Sequence, residues 1–180
     1  CTMDREKIDY TIAVSQIQEL AKIDAHYMPL LANVSALLNE MLSDVNWVGF
    51  YIMKNDQLVL GPFQGKPACV HIKPGEGVCG TAVQDKKTIR VDDVHQFPGH
   101  IACDTASRSE LVIPMFNRYT DVNACEMPPE FAVRNVIGVL DIDSPTVGRF
   151  TQEDQEALEE IVRALESVVV KFDRKRDNKN

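Results

Sequence analysis

The stretch "VIGVLDIDSPTVGRFTQEDQEALEEIVRALESVVVKF", residues 136–172, shows the clearest change of hydrophobic pattern in the chain. Its first eight residues are mostly aliphatic and predict a strand. Thr151 and Asp154 then stand at the spacing of a capping box, which favours the start of a helix. A long amphipathic helix over about 151–175 is predicted, because apolar residues recur at intervals of three and four. Those residues are Leu158, Ile161, Val162, Leu165, Val168, Val169 and Phe172.

Helical spacing also occurs upstream and predicts two N-terminal helices, over about residues 4–23 and 28–43. The apolar face of the first helix is formed by Ile8, Ile12, Ile17, Leu20 and Ile23. The inward residues of the second are Leu30, Leu31, Val34, Leu37, Leu38 and Met41. The region from about 46 to 145 is expected to hold a sheet and the loops of the functional site.

Six strands are predicted in the chain, because short runs of β-branched and aromatic residues are separated by turn residues. They cover residues 47–54, 58–63, 68–72, 88–94, 110–116 and 136–143. The glycine-rich stretch "KPGEGVCGTAVQDKK" is expected to begin as a loop and to continue as a short helix over about 77–85. Pro114 indicates an edge, an end or a bulge in the fifth strand. The polar segment 117–135 is predicted to be a surface excursion.

Helices before and after a run of strands in hairpin order predict one α+β domain over residues 1–180. Its six-stranded sheet should be mainly antiparallel. The N- and C-terminal helices are expected on one face of the sheet, and ligand-covering loops on the other. A chain of 180 residues with 44% apolar and 26% charged residues fits a single globular domain.

Composition and charge argue against several classes of partner. The net charge is −8 and no stripe of Lys and Arg is present, so nucleic acid is not expected. No apolar run approaches the roughly 20 residues of a membrane helix. The first ten residues, "CTMDREKIDY", lack the apolar stretch of a signal peptide, so no membrane association and a cytoplasmic location are expected.

The chain contains five cysteines, an odd number that is too small for a disulfide scaffold. Each is open to interpretation as a buried structural residue, a metal ligand or a redox group. They are Cys1, Cys69, Cys79, Cys103 and Cys125.

Several stretches resemble the free methionine-(R)-sulfoxide reductases, which are single-domain proteins of the GAF fold. They are "NWVGFY", "LGPFQGKPACVHI", "GEGVCGTA", "DVHQFPGHIACDTASRSELVIP" and "GVLDIDSP" followed by "FTQEDQEALEEI". The similarity extends over about residues 37–168 and includes the spacing of three cysteines. The resemblance implies a GAF-like fold and the thiol-dependent reduction of free L-methionine-(R)-sulfoxide to L-methionine.

The resemblance also implies a role for each of these three cysteines. Cys103 would be the catalytic cysteine, which forms a sulfenic acid, and Cys69 would resolve it as an intramolecular disulfide. Cys79 would be an auxiliary third cysteine. The implied external reductant is thioredoxin or a similar dithiol, without a bound cofactor, and the implied assembly is a homodimer.

Substrate binding is assigned by the resemblance to Glu110, Asp141, Asp143, Trp47 and Tyr51, with Glu110 and Asp143 also counted as catalytic. Asp141 and Asp143 are two residues apart and should point to the same face of a strand. Three crowded carboxyl groups raise at least one pKa, which leaves a protonated acid for the sulfoxide oxygen. The others can hold the ammonium group of a free amino acid. The "DID" pair could instead cap the turn before "SP".

Other residues keep a structural interpretation beside the functional one. His100 either activates Cys103 or stabilises a turn, and Trp47 either packs against the substrate sulfur or fills the core. Cys69 and His71 are spaced as metal ligands can be, but no C-x-x-C motif accompanies them, so no metal site is predicted. The "GEGVCG" loop lacks the spacing of phosphate-binding loops. Its glycines are expected to let the backbone approach the substrate.

The alternative function is that of a stand-alone GAF module, which senses a small ligand or the redox state without turnover. Nucleotide-binding GAF domains pair an Asn-Lys dipeptide with a downstream F-x-x-x-D-E pattern. Phe150 and Asp154 are present here, but no Asn-Lys dipeptide precedes them. The sequence therefore favours the enzyme.

Overall fold

Residues 10–23, 26–100, 104–117 and 135–177 are described by the structure, a computed structural model, with side chains described as far as residue 166. This part of the chain contains the helices α1 (Tyr10–Ile23), α2 (Tyr27–Met41), α3 (Gly77–Asp85) and α4 (Gln152–Asp177). Its strands are β1 (Trp47–Lys54), β2 (Gln57–Gly65), β3 (His71–Ile72), β4 (Ile89–Val91), β5 (Ser109–Asn117) and β6 (Asn135–Ser144). None of the described helices is long and apolar enough to cross a membrane.

All six strands form one antiparallel sheet in the order β3-β2-β1-β6-β5-β4. The predicted fold class is therefore confirmed. The capping box is also confirmed, since Thr151 Oγ1 accepts from the Asp154 N–H at 3.1 Å and Asp154 Oδ2 accepts from the Thr151 N–H at 2.9 Å. The predicted excursion at 117–135 lies outside the described residues except at its ends.

Two strands are shorter than predicted. β3 is limited to His71–Ile72, although the Val70 carbonyl still accepts a hydrogen bond from the Leu60 N–H at 2.9 Å. β4 ends at Val91, because the Asp93 side chain accepts from the His95 N–H and caps a 3₁₀-helix at Val94–Gln96. A side chain that bonds the nearby backbone competes with the ladder of a sheet.

The sheet has a hydrophobic core on each face. One face packs against α2 and α4, on which α1 packs in turn, and the other face packs against α3. The apolar face predicted for the first helix is partly wrong, because Ile12 and Ile23 are exposed while Ala13 and Ile17 are buried. The face that points inward is thus rotated towards Ala13. Ile8 lies outside the described residues.

Pro114 lies in β5, opposite Val139 of β6. β4 pairs only with residues 110–112 of β5, so no residue of β4 lies opposite Pro114. Its missing N–H therefore removes no bond to that strand. A register shift follows directly, between Met115 and Phe116, so of the three predicted possibilities a bulge is the one that agrees, while the strand itself continues to Asn117.

Arg149, between β6 and α4, joins three parts of the chain although only 4% of its surface is exposed. Its Nε donates to the Ser43 carbonyl at 2.9 Å, and its Nη1 donates to Asp154 Oδ2 at 3.1 Å. Its guanidinium carbon lies 5.5 Å from the centre of the Phe150 ring. Tyr10 of α1 donates to Asp154 Oδ1 at 2.7 Å. The network ties α1 and the segment after α2 to the start of α4.

Replacing Arg149 by alanine is expected to lower the free energy of unfolding by about 3 kcal/mol, because the Asp154 carboxylate loses its buried partner. Urea denaturation should show a lower midpoint with an unchanged slope. Arg90→Ala is the matched control, since the exposed Arg90 side chain donates to Gln152 and Gln155 at the surface. Its effect should stay within about 0.5 kcal/mol. Equal losses in the two variants would contradict the assigned role of Arg149.

Candidate active site

A pocket of about 50 Å³ lies on the α3 side of the sheet, above neighbouring ends of β1, β5 and β6. β1 contributes Trp47 and Tyr51, β5 contributes Glu110, and β6 contributes Asp141 and Asp143. The structure thus brings together all five residues that the sequence assigned to substrate binding.

Strand register explains why these side chains meet. Asp143 lies opposite Glu110 on one side and opposite Trp47 on the other. Directly opposed residues on antiparallel strands have Cβ atoms about 5 Å apart on the same face. Asp141 is two residues from Asp143 on β6, and Tyr51 is four residues from Trp47 on β1. Even spacing along a strand places both side chains on that same face.

The three acids are crowded and largely withdrawn from water. Glu110 and Asp141 are each 6% exposed. Burial raises the pKa of Glu110 and of Asp143 well above the ordinary range, and the negative charge of Asp141 is the second cause. Burial raises the pKa of Asp141 to about 6, and hydrogen bonds from Cys79 and Glu110 limit the rise. At neutral pH the pocket therefore holds at least one protonated carboxyl group.

The pocket is suited to a cationic group. Among the described residues that line it are five carboxyl groups, and no Lys or Arg. One oxygen of Asp141, Oδ1, is buried without a hydrogen-bond partner. An unpaired buried acceptor is costly unless a ligand or water donates to it. An ammonium group fits this requirement.

Cys79, at the start of α3, lies against the acids rather than in a basic environment. Its Sγ is 4.0 Å from Glu110 Oε1, and the side chain is buried. Burial, followed by the nearby carboxylates, raises the pKa of the thiol well above its usual value. The protonated thiol is a weak nucleophile. Cys79, Glu110 and Asp141 each place one ligand atom within 4.8 Å of the others, a spacing that a metal ion could bridge.

The other cysteines are described only in part. Cys69 is disulfide-bonded, and its partner is not among the described residues. Cys1, Cys103 and Cys125 lie outside those residues. The residues nearest to Cys103 that are described, His100 and Asp104, both line the pocket.

His100, for which activation of Cys103 was one of two predicted roles, has a lowered pKa. Burial, followed by the charge of His95, lowers the pKa of His100 below 6.5. The ring is therefore mostly neutral at neutral pH.

Trp47 belongs both to the core and to the pocket wall. It is 3% exposed, stacks on Phe63 and Tyr51 with ring centres 5.2 and 5.8 Å apart, and donates from Nε1 to the Lys66 carbonyl at 3.1 Å. Gly65 makes room for it, because a Cβ there would lie 2.6 Å from Trp47 Cδ1. The indole is thus fixed from several sides as a rigid apolar wall.

Three residues of the site were not assigned a role from the sequence: Asn46, Asp104 and Ser107. The side-chain nitrogen of Asn46 donates to Asp104 Oδ2 and to Ser107 Oγ, each at 3.1 Å. The Asn46 N–H also donates to the Asp143 carbonyl at 2.9 Å. In the sequence, Asn46 resembles any turn residue before a strand, and Ser107 has no motif of its own. The network joins the segment after Cys103 to the acid-bearing end of β6.

Comparison with known proteins places this site in a family. A model of the GAF domain matches residues 15–169. The free methionine-R-sulfoxide reductase of Escherichia coli is 50% identical over 154 residues, which cover 85% of this chain and 84% of that protein. This chain belongs to the free methionine-R-sulfoxide reductase family of GAF domains.

Solved structures of free methionine-R-sulfoxide reductases agree with this. The enzyme of Staphylococcus aureus in complex with substrate is 46% identical, with a TM-score of 0.77, covering 91% of this chain and 97% of that chain. The enzyme of Neisseria meningitidis in complex with its substrate is 36% identical, with a TM-score of 0.78, covering 93% and 91%. The family and the fold predicted from the sequence are therefore both confirmed.

Proposed function

We propose that this chain reduces the R epimer of free methionine sulfoxide to methionine. The observation that carries the proposal is the convergence of Glu110, Asp141 and Asp143 in one pocket beside two aromatic side chains. The relatives of this chain named as free methionine-R-sulfoxide reductases support the same activity.

The pocket distinguishes a free amino acid from a peptide by charge. The ammonium group of free methionine sulfoxide can pair with the carboxylates and donate to Asp141 Oδ1. A methionine sulfoxide residue within a peptide has lost that charge, so it would leave the acids unpaired. The apolar walls of Trp47 and Tyr51 suit the sulfur-bearing end, because sulfur contacts with aromatic rings are favourable. Backbone N–H groups at the start of α3 are available for the substrate carboxylate.

The proposed reaction transfers oxygen from substrate to enzyme. The Cys103 thiolate attacks the sulfoxide sulfur while a protonated carboxyl group of the pocket donates to the oxygen. The substrate leaves as the thioether, reduced by two electrons, and Cys103 becomes a sulfenic acid, oxidised by two. The Cys69 thiol then forms a disulfide with Cys103 and releases water. A dithiol such as thioredoxin returns both cysteines to thiols.

Cys103 is the partner that we assign to the disulfide of Cys69. The assignment is supported by the pocket, because Ala68, His100 and Asp104 all line it. Described residues on the chain beside each of the two cysteines therefore line the same cavity. The proposal includes a homodimer, which rests on the family resemblance, and a cytoplasmic location, a reducing setting that suits the proposed thiols.

Cys69→Ser is expected to permit one reduction per enzyme and to abolish cycling with thioredoxin. The variant keeps the attacking thiol, but its sulfenic acid lacks the thiol that we assign to the intramolecular disulfide. Methionine formed per enzyme should be close to one, with or without thioredoxin and its reductase. Many turnovers with thioredoxin would contradict the assignment of Cys69.

The function itself is tested with separated R and S sulfoxides, each free and peptide-bound, in the presence of thioredoxin, its reductase and NADPH. We expect methionine from the free R epimer alone. A thermal-shift comparison with cyclic nucleotides tests the sensor alternative. Stabilisation by a nucleotide, together with no methionine formation, would replace the enzyme by a binding module.

A further inference from the structure

Three potential metal ligands meet in the pocket, and they come from three different elements of the fold. Cys79 on α3, Glu110 on β5 and Asp141 on β6 each offer one ligand atom, and these atoms lie within 4.8 Å of one another. Cys79 Sγ is 4.0 Å from Glu110 Oε1, and all three side chains are buried. A tetrahedral zinc ion holds its ligand atoms roughly 3.5 Å apart, so small side-chain movements bring these atoms to one ion. We call the three residues the Cys79 cluster.

Asp141 is the member of the Cys79 cluster that itself indicates a missing ligand. Its side chain lines the pocket and is only 6% exposed, and its Oδ1 atom is buried without a hydrogen-bond partner. The residues opposite it in the sheet are Gly49 on β1 and Val112 on β5, and neither has a side-chain donor. A buried acceptor is costly unless a bound group satisfies it. The neighbouring strands thus leave this oxygen for a ligand.

The loop before α3 fixes the position of Cys79. The Gly75 N–H donates to the Gly80 carbonyl at 2.8 Å, and the Gly80 N–H donates to the Glu76 carbonyl at 2.9 Å. A Cβ at Gly80 would collide with the Lys73 carbonyl, so the loop lies tightly against the first turn of the helix. The sulfur is therefore held against the acids before a ligand binds, which lowers the cost of ordering the site.

The types of ligand atom favour zinc over the other common divalent ions. Magnesium and calcium prefer oxygen atoms alone, whereas zinc binds a thiolate together with carboxylates. An ammonium group can use the oxygens of the Cys79 cluster, but it gains little from the sulfur, which is a weak acceptor. No Lys or Arg is among the described residues that line the pocket, and Asp143 adds a further acid. The charge around the cluster therefore also suits a divalent cation.

We propose that Cys79, Glu110 and Asp141 bind a zinc ion, which takes the place of the substrate ammonium group and inhibits the enzyme. On binding, the Cys79 thiol releases its proton to solvent, and its sulfur becomes a thiolate ligand. The pocket of about 50 Å³ leaves room for a water molecule at the fourth position of the ion. The ion has no part in the proposed reduction. The inhibition rests on the proposed function, whereas the binding of the metal does not.

The Cys79 cluster does not use the cysteines proposed for the redox cycle. Its three ligand atoms lie together in a structure in which Cys69 is disulfide-bonded and Cys79 is a free cysteine. The oxidised protein therefore already holds the site. In that form the sulfur atoms of Cys69 and of its disulfide partner are not thiolates, so binding by the oxidised protein isolates the contribution of Cys79.

The test is a titration of the oxidised protein, in the absence of a thiol reductant, with Co²⁺ as a coloured substitute for zinc. Cobalt bound to a thiolate gives a sulfur-to-metal charge-transfer band in the near ultraviolet. The wild-type protein should develop this band, and Zn²⁺ should abolish it by displacing the cobalt. Cys79→Ser should lack the band. A wild-type protein without the band, or a band that persists in Cys79→Ser, would overturn the inference.

Two further variants keep the thiol and the size of the side chains. Asp141→Asn and Glu110→Gln should each weaken Co²⁺ binding by at least about 10-fold, since even the loss of a group behind a metal ligand costs about 10- to 100-fold in affinity. Asp85→Asn, on an exposed acid, and Cys125→Ser, on a thiol to which no role is assigned, are the matched controls. Both should bind Co²⁺ as the wild type does. Unchanged affinity in Asp141→Asn, or an equal loss in Asp85→Asn, would contradict the assigned ligands.

Inhibition is measured in single-turnover reduction of the free R sulfoxide by the reduced protein. At a Zn²⁺ concentration of ten dissociation constants, the substrate concentration for half-maximal rate should rise by about tenfold, because the two ligands exclude each other. The limiting rate should not change, and a chelator should reverse the effect. The inhibition constant should agree with the Zn²⁺ affinity of the oxidised protein. A clear disagreement would show that other thiols bind the ion, and would overturn the inhibitory role.

Failure of the proposed function gives a different result from failure of the metal site. A wild-type protein that makes no methionine in the absence of Zn²⁺ would refute the proposed function, while the Co²⁺ band of the oxidised protein still tests the Cys79 cluster. A protein that makes methionine but develops no band would keep the proposed function and refute the metal site.

Discussion

Cys103→Ser is expected to lower methionine formation from the free R sulfoxide by about a thousandfold or more, as loss of a catalytic nucleophile does elsewhere. A serine hydroxyl group is not ionised at neutral pH, so the attacking group is lost. Serine also forms no disulfide with Cys69. The measurement is methionine released by the fully reduced protein, in a single turnover and with thioredoxin.

Cys125→Ser is the control for the Cys103 variant, because it removes a thiol to which no step is assigned. It should keep the wild-type rate in both assays. Turnover by Cys103→Ser at a rate near that of the wild type would show that another thiol, for example Cys79, attacks the sulfoxide. The proposed order of events would then be wrong.

Asp143→Asn is expected to slow single-turnover reduction by about 100-fold or more, since a positioned general acid contributes about 10²- to 10⁴-fold. The change preserves the size of the side chain and removes its acidic proton. Substrate binding should weaken less, because Glu110 and Asp141 still face the ammonium group. Asp85→Asn, on an exposed acid at the end of α3, is the control and should keep the wild-type rate.

The pH dependence of the same variant gives a second result. Burial, followed by the charge of Asp141, raises the pKa of Asp143, so its proton is retained to a higher pH than in an ordinary aspartate. The acid works when protonated. The wild-type rate should therefore fall as the pH rises through the titration of the acid cluster, whose apparent values belong to the group as a whole. Asp143→Asn should lack most of that fall, and an unchanged profile would contradict the assignment.

Much of the fold was predictable because its elements are locally coded. The capping box at Thr151 and the apolar spacing after it predicted α4, and the glycine-rich stretch predicted α3 at Gly77–Asp85. The prediction errors, at the end of β4 and on the buried face of α1, occurred where contacts of individual side chains determine the local structure. Asp93 ends β4 by capping a 3₁₀-helix, and Ile12 points to solvent because α1 turns Ala13 and Ile17 inward.

The acid pocket was predictable for a similar reason. Two-residue spacing puts Asp141 and Asp143 on one face of a strand in any antiparallel sheet. The preceding predicted strand begins at Glu110, and adjacency of consecutive strands is common. The lowered pKa of His100 was not predictable, because it depends on burial and on the nearby His95.

The sequence by itself determined the α+β fold, the family, the three pocket acids and the cysteines proposed for the chemistry, because these depend on spacing within single elements or on motifs. Only the tertiary structure decided the state of those groups. The raised pKa values of Glu110 and Asp143 depend on burial and on charges from other elements. The hydrogen bonds of Asn46 join residues about 60 positions apart. Such contacts form only when the segment after Cys103 packs against the ends of β1 and β6, and no local pattern encodes them.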